Sequence, residues 1–178
     1  MRGRLPLQSR LDRAERMRDI NAAGLDLVKR NEGLRLNAYK DVAGIWTIGY
    51  GHTPSGKGRR VSEAEAERLL KADLASAEQA VDAATHDVNT NDNQFSAMVS
   101  LAFNIGNAAF RGSSVLREHR AGHYGIAAAA FLMWDKSHVN GELVVVPGLH
   151  RRRARDGLLE LARQCEAAAE QYGSTDGS

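Results

Sequence analysis

Three residues have the types and spacing that bond cleavage can use: Glu32, Asp41 and Thr47, separated by nine and six positions. Glycoside hydrolysis asks for one carboxyl group that stays protonated to assist the departing oxygen, and a second that stays ionised. Leu25, Val28 and Glu32 fall at i, i+3 and i+7, which puts Glu32 on the buried stripe of a helix read from Asn21 to Glu32 and stopped by Gly33. A carboxyl in the last turn of such a helix meets partial desolvation and the negative end of the helix dipole, and both disfavour its charged form. Asp41 stands in a polar Lys-Asp turn context and can stay ionised. Two acids held apart by their surroundings are the usual basis of an acid and base pair. Spacing alone is a weak signal, because a Glu at a helix end is most often simply solvated.

The elements that must position these residues follow from the pattern. Residues 36–53 are rich in strand formers (Tyr39, Ile45, Trp46, Thr47, Ile48, Tyr50), with Ala43-Gly44 as a turn and Gly49 and Gly51 keeping the backbone unobstructed. They read as a small β-hairpin with room for a third short strand, too small to stand without helices behind it. Ser62-Glu63-Ala64-Glu65 reads as a capping box opening a long helix to about Ala84, with Ala66, Leu70, Leu74, Ala77 and Val81 on one side. A second helix starts near Asn91 and carries Phe95, Met98, Val99, Ala102 and Phe103. Shorter helices are expected at 114–121 and 124–134, a loop or hairpin at 137–147, and a last helix at 149–170. The fold class is therefore α+β and predominantly helical, with a small N-terminal β-hairpin lobe and a helical lobe joined by a long helix, leaving a cleft between the lobes.

The bulk properties exclude several classes. The 178 residues suit one domain able to bury a real core, and a 43% hydrophobic, 26% charged composition is that of an ordinary globular chain. No run of about 18 apolar residues reads as a membrane span. The lone Cys165 rules out an internal disulfide and reads as a packing residue. Net charge is only +2, but arginines crowd residues 2–18 and 151–155. Such patches can attract nucleic acid, anionic lipid or an acidic wall polymer, or be solvated faces. Leu7, Leu11, Ala14 and Met17 would give residues 1–19 a thin apolar stripe, read first as a packing appendage and second as a weak membrane-surface helix. His119 and His123 lie four apart, but Gly122 interrupts the helix, so no metal site is expected there. Trp46 and Trp134 read as packing residues rather than sugar platforms, and His52 as an ion-paired structural residue.

The words around the three residues carry more than their spacing. Asn31-Glu32-Gly33-Leu34-Arg35-Leu36, Ala38-Tyr39-Lys40-Asp41 and Trp46-Thr47-Ile48-Gly49-Tyr50-Gly51-His52-Thr53 closely resemble the phage lysozymes (endolysins) of glycoside hydrolase family 24. The resemblance continues through 94–106, Phe131–Trp134 and Pro147–Arg153, covering about residues 20–165. It implies a muramidase that cuts peptidoglycan between N-acetylmuramic acid and N-acetylglucosamine, with Glu32 as proton donor and Asp41 and Thr47 positioning water. It also implies inversion at the anomeric carbon, for which carboxyl groups stand about 6.5–9.5 Å apart. No metal or cofactor is implied. Asn104, Gly49 and Arg152 are the candidate substrate-binding residues, and Arg152 is the arginine of 151–153 expected to hold Glu32. Asp156 departs from the family's usual Glu and reads as a helix-surface or ion-pair position.

The expected organisation is a basic extension at 1–19, a catalytic domain at 20–170 and a flexible tail at 171–178. The expected partner is the glycan strand, with no nucleic acid, and the chain acts as a monomer. Without an apolar stretch after the basic N-terminus, it would accumulate in the host cytoplasm until a membrane pore admits it to the periplasmic wall. Two rivals remain at this point. A lytic transglycosylase would use a lone acid, and a wall-binding module would need no acid at all; the Glu32, Asp41 and Thr47 set stands against both.

Overall fold

A computed structural model describes residues 18–139 and 142–161. Among them are seven α-helices: α1 (Ala22–Glu32), α2 (Glu63–Thr85), α3 (Asp92–Ile105), α4 (Asn107–Arg111), α5 (Ser114–Arg120), α6 (Tyr124–Ala130) and α7 (Pro147–Leu161). Two antiparallel hairpins accompany them, β1 (Arg35–Lys40) with β2 (Trp46–Gly49) and β3 (Lys136–Val139) with β4 (Glu142–Val145). The first hairpin packs on α2, and α2 packs in turn on α3, so the long helix joins the β lobe to the helical lobe.

α3 is the centre of the molecule. Its residues Gln94–Ala102 are all buried, as suits a helix whose residues from Phe95 to Ala102 are apolar or small on every side. It packs against α1, α2 and α7. Ser96 and Ser100 give it a face with little bulk, and both are fully buried. A full capping box starts it: Asn91 Oδ1 accepts from Gln94 N at 2.8 Å, and Gln94 Oε1 accepts from Asn91 N at 3.0 Å. At Ser62, where sequence suggests such a box, only half forms. Ser62 Oγ caps Glu65 N at 3.1 Å, while Glu65 turns its carboxylate to Arg59.

The apolar stripe expected on α2 (Ala66, Leu70, Leu74, Ala77, Val81) is wholly buried. A third strand-like segment does border the first hairpin, through Ala38 N to Arg59 O and Val61 N to Leu36 O. The stretch expected as one helix at 124–134 is α6 followed by a 3₁₀ turn at Phe131–Trp134. Within the stretch expected as a loop or hairpin, β3 and β4 pair antiparallel, and α7 begins at Pro147, where a proline's fixed φ suits a first helical residue. The remainder of the expected last helix, Cys165, the tail and most of the N-terminal extension lie outside the described residues. Arg18 is already packed. Its Nη2 reaches Thr90 O and Asp92 Oδ1 at 3.0 and 2.6 Å, and its guanidinium sits 4.6 Å from the Phe95 ring centre.

Candidate active site

Glu32 closes α1, and Gly33 ends the helix with φ 72°, donating its N–H to Lys29 O. One turn earlier, Lys29 fixes this end of α1 to α2 through Glu67 at 2.9 Å, and lies 5.6 Å from the Tyr50 ring centre. The hydrogen-bonded pairing holds the Lys29 ammonium above its ordinary pKa and the Glu67 carboxyl below its own. The side chain of Glu32 is about a quarter exposed, and its Oε1 accepts from Arg152 Nη1 at 2.8 Å. The position read from sequence as lying on the buried stripe is only partly buried, and it is joined by a cation arriving from α7, 120 positions along the chain. The other Glu32 oxygen faces the turn after β2, where a Cβ added at Gly51 would stand 4.0 Å from Oε2. That turn is secured to α2 by His52 Nδ1 and Asp73, 3.0 Å apart, the structural pairing read for His52.

Asp41 and Thr47 are brought together by one residue, Ile45. Asp41 Oδ1 accepts from Ala43 N and Ile45 N, both at 2.9 Å, and Asp41 N donates to Ile45 O at 2.9 Å. Thr47 Oγ1 donates to the same Ile45 carbonyl at 3.2 Å. A short polar side chain that bonds the backbone ahead of it is the usual device for a tight turn, and here it leaves the second Asp41 oxygen clear of the turn. Thr47 is buried and pairs with Tyr39 in the hairpin ladder. With its proton committed to Ile45, its oxygen is left as an acceptor.

The three further candidates occupy different surroundings. Arg152 is buried and bound to Glu32, with a longer 3.5 Å contact to Ser100 O. Asn104 is exposed at the end of α3, and its Oδ1 accepts from Arg153 Nη2. Gly49 is buried with φ 67°, and a Cβ there would meet Ala66 Cβ of α2 at 3.2 Å, so its backbone packs the hairpin onto that helix.

Sequence reading did not find the charged cluster behind Arg152. Arg153 is 1% exposed and Asp156 not at all, so Asp156 is an interior ion-pair residue and not a helix-surface one. Asp156 Oδ2 accepts from Arg153 Nη1 at 3.1 Å and Oδ1 from Ser100 Oγ at 2.9 Å, while Arg153 Nε donates to Trp134 O at 3.1 Å. Burial pushes the Asp156 carboxyl up and pulls the Arg153 guanidinium down, against the attraction between them. The run of three arginines was the available signal, but spacing does not tell which arginine turns inward. His119 and His123 go separate ways: His119 bonds Glu160 at 2.7 Å and Thr90 at 2.8 Å, and His123 bonds Glu118 at 3.1 Å.

The sequence profile of the Phage lysozyme family matches residues 29–156, a span that includes every candidate named above. The chain belongs to the phage lysozyme family. The endolysin of Acyrthosiphon pisum secondary endosymbiont phage 1 is 42% identical over 145 residues, covering 80% of this chain and 99% of that protein. The endolysin of Salmonella phage P22 is 41% identical over 144 residues, 78% of this chain and 97% of the relative. Among solved structures, the muramidase domain of SpmX from Asticaccaulis excentricus superposes with a TM-score of 0.75 at 41% identity, covering 82% of this chain and 99% of that one. The family's fold is thus the fold seen here, with Glu32 at the junction of its two lobes.

Proposed function

We infer that the protein is a peptidoglycan-hydrolysing endolysin, a muramidase cutting the β-1,4 bond between N-acetylmuramic acid and N-acetylglucosamine. The observation that carries this reading is the grip of Arg152 on Glu32, beside a hairpin whose Asp41 and Thr47 share Ile45.

In the proposed reaction, Glu32 gives its proton to the glycosidic oxygen as that bond breaks. A water held between the free Asp41 oxygen and Thr47 Oγ1 attacks the anomeric carbon from the opposite face and passes its proton to Asp41. The product is inverted at that carbon. Arg152 orients the Glu32 carboxyl and receives it as a carboxylate after proton transfer, a charge-assisted pairing. We place Asn104 at the edge of the sugar path. We further propose that the enzyme works as a monomer, reaching the wall from the host cytoplasm once a membrane pore opens. Among the described residues no helix is long and apolar enough to cross a membrane.

The test is the release of new reducing ends from purified peptidoglycan, with the anomer of the fresh product read by NMR. The inverted anomer and near-complete loss of activity in Asp41→Asn are expected. Retention of configuration, or full activity in Asp41→Asn, would refute the water model.

A further inference from the structure

The cluster behind Arg152 has a consequence for how substrate is held, which rests on the muramidase reading. Ser100 and Asn104 are one turn apart on α3 and therefore lie on the same face. Ser100 is fully buried between Arg152 and Asp156: its carbonyl meets Arg152, and its hydroxyl donates to Asp156. Asn104 is exposed, and its amide oxygen is taken by Arg153. The same face of α3 thus runs from the holder of Glu32 out to an exposed amide.

An asparagine amide can present either its oxygen or its NH2 group, and a rotation of the group exchanges them. A guanidinium has donors only, so a fixed arginine decides which way the amide turns. Arg153 is held by two further partners, Asp156 and Trp134 O, and is 1% exposed. Asn104 must turn its oxygen inward, and its NH2 group is left facing solvent. The exposed Asn104 amide therefore offers its NH2 donors outward. Such a donor pairs with an oxygen acceptor, and an acyl carbonyl or carboxylate oxygen is a better acceptor than a sugar hydroxyl. Peptidoglycan carries acyl carbonyls on its sugars, both N-acetyl and lactyl.

We propose that Arg153, anchored by Asp156, is a positioning residue that turns the Asn104 amide into a dedicated donor to an acyl carbonyl of the glycan strand. The experiment measures equilibrium binding of purified peptidoglycan to protein carrying Glu32→Gln, so that it does not depend on turnover. Asn104→Asp keeps the shape and the bond to Arg153 but replaces the donor by an acceptor. It is expected to weaken binding about tenfold, as loss of one hydrogen bond and its replacement by a repulsive contact would, while the melting temperature does not fall. Arg153→Lys retains the charge without the planar fork. It should weaken binding about threefold by itself, and not at all when Asn104 is already Ala, because it acts through that amide.

Wild-type binding by Asn104→Asp, or the same Arg153→Lys effect in both backgrounds, would overturn the proposal. A wild-type enzyme that released no reducing ends would instead overturn the muramidase reading. With de-N-acetylated peptidoglycan, an Asn104→Asp defect that disappears assigns the acceptor to the N-acetyl carbonyl, and one that persists assigns it to the lactyl side. Either result supports a donor role.

Discussion

Gly24 sits in the first turn of α1, where standard propensities favour replacing it by alanine by about 1 kcal/mol. The structure reverses that sign. A Cβ at Gly24 would lie 2.4 Å from Ser96 Cβ, 2.8 Å from Ile20 Cγ1 and 3.0 Å from Ser96 Oγ. Comfortable carbon contacts are about 3.5–4.0 Å, and Ser96 Cβ is anchored directly on the backbone of α3, so no rotamer change relieves the clash. The helices must separate by roughly 1 Å, a strain at the upper end of the usual 1–3 kcal/mol for overpacking. Ser96 Oγ would also drift from Asn21 N, which it accepts at 3.0 Å. Subtracting the propensity gain leaves a net destabilisation of about 2 kcal/mol. For a chain of this length, that lowers the melting temperature by about 4–8 °C. Thermal unfolding followed by circular dichroism reads this directly. Adding Ser96→Gly to Gly24→Ala should recover part of the loss, limited by the hydrogen bonds that Ser96 supplies. A Gly24→Ala protein melting at or above the wild type would show that the two helices do not approach as described.

Further outcomes follow from other contacts. Arg152→Met leaves the Glu32 carboxyl without its cation, and kcat on peptidoglycan should fall at least about tenfold as the acid loses its orientation; steady-state kinetics showing unchanged kcat would remove Arg152 from the mechanism. Gly49→Ala forces alanine to φ 67° and presses it on Ala66, costing about 1–2 kcal/mol, seen as a lower melting temperature with KM unchanged. A raised KM with an intact melting temperature would instead make Gly49 a substrate contact. Glu78 is buried, and burial pushes its carboxyl up, aided by the charge of Asp19 and opposed by the Ile20 N–H it accepts. A raised folded pKa means the native state binds more protons than the unfolded chain above the ordinary Glu range, so this group's contribution is lost as pH rises through the raised value. Glu78→Gln keeps the acceptor for Ile20 N and should melt higher than wild type at pH 8, with the difference vanishing near pH 4. A gap independent of pH would contradict the assigned shift.

What the sequence made legible is local. Glu32, Asp41 and Thr47 lie within one helix, one turn and one strand, so caps, periodicity and turn residues place them without any distant contact. The Asx bond of Asp41 and the stop at Gly33 are equally short-range. Harder to read were features whose partners are far apart in the chain. The bond between Arg153 and Asn104 spans 49 positions, and that between His119 and Glu160 spans 41. Gly24 looks like a weak point of a helix until Ser96, 72 positions on, is seen against it. α4 has only five residues and no capping side chain, too little pattern to announce itself. Asp156 carried a charge on a helix with many charges, and only the closure of α7 over Ser100 makes it interior.

The central claim is that Glu32 drives hydrolysis, with water as the acceptor of the cleaved sugar. Mass spectrometry of the fragments released from purified peptidoglycan by wild type and by Glu32→Gln tests it most directly. Muropeptides ending in reducing N-acetylmuramic acid, and none from Glu32→Gln, are expected. Fragments ending in anhydro sugars, or equal release by the variant, would contradict it.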